Sequence, residues 1–338
     1  MGIDISKLVE PAPLRLEDLS GRALAIDAFN TLYQFIATIR QPDGTPLRDR
    51  DGRVTSHLSG LFHRTAALLD IGVRPAYVFD GEPPELKEKT LKARRAVKEA
   101  AEVEWKAALE AGDLKRALSK AAQTSRLDDA MVAEAKSLLD AMGIPWLVAP
   151  SEGEAQMAHM AIRGDVWAGA SQDYDALLFG TPTLVRNLTL ARKRRVSGGR
   201  SVDVSPELID LDAMLSSLSL SRPQLVDLAI LMGTDFNEGV RGIGPKRALK
   251  LIRKHGAIEN VLADGGVSLP EDFGEVRRLF LEPQVTDGYA LTWRAPVPED
   301  VRRLLCDSHG FSVDRVDATL SKVCSMRACT SQSSIDSW

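Results

Sequence analysis

Acidic residues follow short apolar runs at five separate places in this 338-residue chain. Asp27 lies in LAIDAFN, Asp80 in YVFDGEPP, Glu152 and Glu154 in PSEGEAQ, Asp173 and Asp175 in SQDYDAL, and Asp235 in MGTDF. An ionised carboxylate taken from water without a partner either destabilises the fold or shifts its pKa and neutralises, so a chain that buries several must bring positive charge to them. Hard oxygen donors with no His or Cys cluster beside them point to Mg2+ or Mn2+ rather than zinc. Taken singly, each acid has a plainer reading. Ser151 and Glu154 have the spacing of a helix capping box, and Asp173 and Asp80 suit turns or loops. Taken together, the recurrence favours a two-metal site, which holds its ions about 3.5 to 4 Å apart to activate a water and stabilise a leaving oxygen.

Charge is segregated along the chain. The net charge is -4, yet residues 241–255 carry six Lys and Arg and no acid, as do residues 186–200. Residues 86–126 hold eleven Lys and Arg against six Asp and Glu. Those three stretches reach +17 and leave -21 elsewhere. Basic surfaces around an acidic, metal-filled centre suit an enzyme that acts on a phosphodiester backbone.

Three cysteines, Cys306, Cys324 and Cys329, form no CxxC pair. Neither a disulfide framework nor a zinc site is expected, which points to a reducing, intracellular setting. No apolar run approaches the roughly 18 residues of a membrane span, and no basic-then-apolar leader opens the chain. Gly2 and Ser6 fit the loose myristoylation pattern, but without a polybasic second anchor lipidation is not expected. With 44% hydrophobic and 27% charged residues, the composition is that of an ordinary soluble chain with ample core.

Periodicity predicts an α/β fold with a mostly parallel central sheet flanked by helices. ALAID, PAYVFD, IPWLVAP, VWAGAS and TLVRN read as strands. Residues 55–71 read as a helix with Leu58, Leu61, Phe62, Leu68 and Leu69 on one face. A long charged helical stretch from Leu86 to about Ala122, broken at Gly112-Asp113, offers little apolar face and reads as an insertion over the sheet. Another amphipathic helix ends at Gly143. Asp27, Asp80 and the two paired motifs all follow strands, so they can meet at the carboxyl edge of one sheet. Lys87 and Arg94, seven residues apart, fall two turns apart and about 10 Å along one helix, on the same side. In VRGIGPKR, Gly242 and Gly244 permit close approach of a phosphate, Pro245 suits a first helical turn, and a basic helix follows.

Together with the opening MGI, the segments LAIDAFNTLYQF, YVFDGEPPELK, MGIPWLVAPSEGEAQ, SQDYDALLFG and LMGTDFNEGVRGIGPKRALKL closely resemble the flap endonucleases, the structure-specific 5' nucleases of replication and repair. The resemblance spans residues 1 to about 255 and is of the archaeal type. It implies that Asp27, Asp80, Glu152, Glu154, Asp173, Asp175 and Asp235 are the carboxylates of a site for two Mg2+ ions, with Mn2+ a substitute. Lys87 and Arg94 become the catalytic cations, and Tyr33 the ring that stacks on the base beside the cut. Gly2, Arg64, Gly242, Gly244, Lys246 and Arg247 become DNA contacts, the last four within a helix-two-turn-helix that also binds K+ through main-chain carbonyls. Gln332, Ile335 and Trp338 have the spacing of a sliding-clamp-binding tail, although the second aromatic of that motif would fall at position 339.

The implied organisation is a nuclease core at 1–219 including a helical arch at about 81–130, a helix-two-turn-helix region at 220–300, a segment at 301–325 that packs back on the core, and a tail at 326–338. The expected activity is Mg2+-dependent hydrolysis of branched DNA near the junction of a 5' flap, in Okazaki-fragment processing and repair. The expected protein is monomeric, located in the cytoplasm or nucleoid of an archaeon or the nucleus of a eukaryote. Two alternatives stand beside this: a 5' exonuclease or excision-repair nuclease of the same superfamily, and a non-catalytic DNA-binding or clamp adaptor. The lack of DxDxT and GxxxxGK[ST] argues against phosphatase and NTPase chemistry.

Overall fold

The structure is a computed structural model that describes all residues except 1, 42, 114–115, 117–118, 121–123, 125, 190–192, 196–200, 266–267, 269–272 and 334–338. Five short strands form the parallel body of the sheet: β2 (Ala23–Asp27), β3 (Arg74–Phe79), β4 (Trp146–Val148), β5 (Ala168–Ala170) and β6 (Thr183–Arg186). All are the strands expected from the apolar runs. Two edge strands were not anticipated. β9 (Glu207–Asp210) pairs antiparallel with β6, and β1 (Ala12–Pro13) pairs antiparallel with β9. β1 is two exposed residues, one of them proline, and carries no alternating pattern to read. A separate ribbon joins β7 (Lys193–Arg195) to β8 (Ser201–Asp203).

The sheet order is β1-β9-β6-β5-β2-β3-β4. The chain therefore winds outward from β2 through β3 to β4, then returns to the other side of β2 for β5 and β6. Such a reversal opens a crevice beyond the strand ends, here between β2 and β5.

Alternation along β2 divides the core. Leu24 and Ile26 enter one layer with α1 (Ala28–Thr38), α2 (Ser56–Asp70), α4 (Asp129–Ala141) and the C-terminal α13 (Val313–Ser333). Ala23 and Ala25 face α5 (Gly153–Ile162) through Met157 and Met160. The five apolar residues expected on one face of α2 are all buried.

A larger cluster continues from α5 and α6 (Asp175–Leu178) through α7 (Leu211–Leu218), α8 (Arg222–Met232), α9 (Pro245–His255), α10 (Ile258–Ala263) and α11 (Phe273–Leu281). A 3-10 turn, Glu85–Lys87, leads into α3 (Glu88–Glu110), which ends before Gly112 at φ +70°. Lys87 thus sits in the turn before the helix rather than in its body. As expected from its poor apolar stripe, α3 buries little beyond Ala101 and Ala108. Residues 282–297 return to the core, where Gly143 lies so close to the Arg294 carbonyl that a Cβ would approach it to 2.2 Å. Before α13 come the short helix α12 (Pro298–Arg302) and a π-helical turn, Arg303–Asp307. No helix among the described residues is long and apolar enough to cross a membrane.

Candidate active site

Asp27 ends β2 and also caps α1, its Oδ1 accepting the Asn30 backbone N–H at 2.9 Å. Asp80 directly follows β3 and accepts the Gly153 N–H at 2.8 Å. A Cβ on Gly153 would stand 2.6 Å from Asp80 Oδ1, so the glycine between Glu152 and Glu154 is required by that approach. The capping box open to Ser151 and Glu154 does not form. Glu152 is the N-cap of α5, and Glu154 accepts instead from the Ser171 hydroxyl at 3.0 Å.

Ser171 was not among the expected residues, yet it joins three elements at the crevice. Its Oγ lies 3.3 Å from Asp27 Oδ2 and accepts the Asp173 N–H at 3.2 Å. Asn30 also went unforeseen, and its Nδ2 donates to Asp173 Oδ2 at 3.1 Å. Their only sequence signal is nearness to Asp27 and Asp173. Arg186, counted above as one of many surface cations, braces the same loop. It donates to the Gln172 carbonyl at 3.1 Å and the Tyr174 hydroxyl at 2.5 Å, and lies over the Tyr174 ring.

Asp175 opens α6 and is 5% exposed. The Ile3 N–H donates to its Oδ1 at 2.8 Å, and a Cβ on Gly2 would stand 2.6 Å from Oδ2. Gly2, expected at DNA, thus also fits where no side chain has room. Asp235 comes from the turn after α8, not from the sheet edge.

The acids compensate one another poorly. Burial, reinforced by Asp80, raises Asp27 to about 8, and burial with Asp235 and Asp173 raises Asp175 to about 7. Burial, then Asp175, Asp173 and Asp27, pushes Glu154 well up. Asp80 and Glu152 are raised by burial even against the Lys87 ammonium. These neighbour relations link all seven carboxylates without a break. As the side chains stand, no three His, Cys, Asp or Glu among the described residues are drawn together tightly enough to hold one ion. Two cations take up part of the negative charge. Lys87 Nζ lies 2.5 Å from Glu152 Oε2, and Arg94 Nη2 lies 2.5 Å from Asp235 Oδ1. Burial opposes the Lys87 charge, but Glu152, Asp80 and Asp235 outweigh it and raise its pKa. An all-oxygen set whose pKa values are pushed up by burial and by like charge fits a hard divalent cation.

Tyr33 is half-buried on α1, with Lys98 Nζ 4.4 Å from its ring centroid. Arg64 is half-buried on α2, its pKa lowered by burial; among the described residues no recorded contact ties it to the acids. Gly242 has φ +83°, and a Cβ on Gly242 or Gly244 would meet nothing of the protein within 4 Å. Gly244 is the N-cap of α9, and Lys246, Arg247 and Lys250 are exposed there. Arg253 on the same helix instead donates to the Leu218 carbonyl. Gln332 falls in the last turn of α13, while Ile335 and Trp338 lie outside the described residues.

Residues 1–101 match the XPG N-terminal domain and residues 143–235 the XPG I-region. The chain is 50% identical over all of its length to flap endonuclease 1 of Methanothermobacter thermautotrophicus, covering all of that protein. It is 48% identical to flap endonuclease 1 of Pyrococcus furiosus, covering 100% of this chain and 99% of the other. Among solved structures, flap endonuclease-1 from Methanococcus jannaschii superposes with a TM-score of 0.78 at 44% identity, covering 97% of this chain and 100% of that one. The catalytic core of Rad2 in complex with DNA substrate gives a TM-score of 0.71 at 25% identity, over 93% of this chain and 96% of the other.

Proposed function

The chain belongs to the flap endonuclease 1 family, and from that premise we propose that its seven carboxylates hold two Mg2+ ions where Lys87 and Arg94 receive the scissile phosphate of a 5' flap. The protein is a structure-specific flap endonuclease, a metal-dependent hydrolase of DNA phosphodiester bonds that acts on branched DNA. One observation carries the residue assignment: five acids with raised pKa values lie on one electrostatic chain beyond the strand ends, faced by two cations from a single overhanging segment.

Asp27, Asp80, Glu152, Glu154, Asp173, Asp175 and Asp235 would hold the ions, which when bound activate water and stabilise the leaving oxygen. Ser171, Asn30 and the Ile3 and Gly153 N–H groups keep the carboxylates turned inward. With the phosphate in place, the Lys87 and Arg94 charges would pass from Glu152 and Asp235 to its oxygens, where they would stabilise charge developing in the transition state. Tyr33 offers its ring to the base beside the cut. Gly242, Gly244, Lys246 and Arg247 grip duplex backbone at the start of α9, and carbonyls of the same turn would hold K+. Arg64 and Gly2 add DNA contacts. Selectivity then rests on shape and phosphate spacing rather than on base edges.

The same reading gives a nuclease core at 1–219, a helix-two-turn-helix region at 220–300, a returning segment at 301–325 and a clamp-binding tail carrying Gln332, Ile335 and Trp338. It places a monomeric enzyme inside the cell, in Okazaki-fragment processing and repair. The test is incubation with end-labelled flap, nicked and bubble DNA, with Mg2+, Mn2+ or EDTA, and with and without sliding clamp. Mg2+-dependent cutting at the flap junction supports the assignment, and stimulation by clamp that vanishes in Trp338→Ala supports the tail. Cutting that survives Asp175→Asn unchanged overturns the site.

A further inference from the structure

Among the described residues, Lys98 is a cation without an anion. On α3, Arg94 and Lys98 are the only residues between 91 and 100 that are not exposed, and they lie one turn apart on the same side. Arg94 reaches Asp235. Lys98, among the described residues, makes no ion pair, and its Nζ sits 4.4 Å over the Tyr33 ring. Burial, then the like charges of Arg94 and Arg126, lowers its pKa. Its ammonium is therefore held against electrostatic repulsion by an aromatic face, a weak partner at a partly exposed site.

Accepting Tyr33 as the stacking surface of the proposed function, we propose that Lys98 covers that surface in the DNA-free enzyme and must be displaced before a nucleobase can stack there. A nucleobase and an ammonium cannot occupy the same face of one ring. The incoming strand also supplies what Lys98 lacks, because each nucleotide that stacks brings a phosphate whose full charge attracts an ammonium more strongly than the ring does. Displacement thus converts a self-contact into a substrate contact. The cover screens an apolar ring from adventitious partners and makes stacking conditional on a strand that carries phosphates.

The test uses the full chain, Ca2+ in place of Mg2+ to prevent cutting, and flap DNA with 2-aminopurine at the junction nucleotide. At saturating protein, stopped-flow fluorescence reads the stacking step separately from affinity. Lys98→Ala is expected to speed that step about two- to fivefold, the equilibrium a cation–π contact of this exposure controls. Lys98→Arg keeps a cation over the ring, now a planar one, and holds the step at or below the unaltered rate. Tyr33→Ala removes the signal in either background. A stacking step in Lys98→Ala that is unchanged or slower, with Tyr33→Ala silent, overturns the cover while leaving the stacking role intact. A signal that persists in Tyr33→Ala removes the stacking role and the cover with it.

Discussion

Glu152 and Asp235 each hold a cation from the segment that opens α3, and that pairing gives Lys87 and Arg94 separate consequences for binding and for catalysis. Lys87→Ala and Arg94→Ala are expected to lower single-turnover cleavage by roughly 10² to 10³, the effect of losing one donor aimed at developing charge. Flap binding measured in Ca2+ should change far less, because the basic surface at α9 is untouched. Comparable losses in the two assays would instead make these residues mere anchors. Gly2→Ala sets a methyl against the Asp175 carboxylate, 2.6 Å from its Oδ2. Cleavage should fall by roughly tenfold or more with DNA affinity retained, since a small misplacement of a catalytic group is costly. At this scale the seven acids stand out as candidates in the sequence because carboxylates after apolar runs are rare without a purpose. Ser171 and Asn30 were not, because a hydroxyl or amide between two polar neighbours looks like any loop residue until its partners, 17 and 144 positions from Ser171 and 143 from Asn30, are brought beside it.

Helix α9 begins at a glycine pair that the protein itself leaves open, and its first exposed cations follow at once. If these grip phosphates, Lys246→Ala with Arg247→Ala should reduce the slope of log K against log salt by about 2, each phosphate contact contributing about 0.9. An unaltered slope would move the duplex contact elsewhere. Gly233 and Gly239 differ from Gly242 in kind. A Cβ on Gly239 would come within 2.2 Å of the Gly233 nitrogen, so that part of the turn is fixed by packing rather than by a ligand. The parallel strands were legible as elements because each is a short apolar run followed by polar residues. β1 and β9 were not, since edge pairing depends on which backbone lies alongside, and Ala12–Pro13 has no pattern of its own. The Ser151–Glu154 spacing also shows the limit of local reading: Ser171, arriving from β5, competes for Glu154 and prevails.

Across the whole molecule, the unneutralised acids make the metal-free protein less stable than its packing allows. Mg2+ should therefore raise Tm in a concentration-dependent way, as any ligand of the folded state does. Asp27→Asn should raise the metal-free Tm while removing much of that increment, and an equal Mg2+ response in both proteins would place the ions elsewhere. Far from this site, the C-terminal segment is tied to the core where His309 bridges Asp49 at 2.9 Å and Glu134 at 3.3 Å, and Glu134 also meets His57 at 3.1 Å. Burial would raise Asp49, but hydrogen bonds from His309 and Arg53 outweigh it and hold it to about 2. A carboxyl lowered on folding stabilises fully above its unfolded pKa, near 4, and that contribution is lost as pH falls toward 2. Acid unfolding of Asp49→Asn should accordingly be less steep across that window, at lower stability near neutral pH; parallel curves would discount the tie. By itself the sequence determined the chemistry, for donor type, charge and the run of apolar residues before each acid are properties of short segments. Which acids become neighbours, that Asp235 arrives from a helix end, that Arg186 serves as a brace and that Lys98 lies over Tyr33 were decided only by the order of strands around β2 and the path of α3. Those contacts join residues distant along the chain, and no local pattern encodes the energy that selects among them.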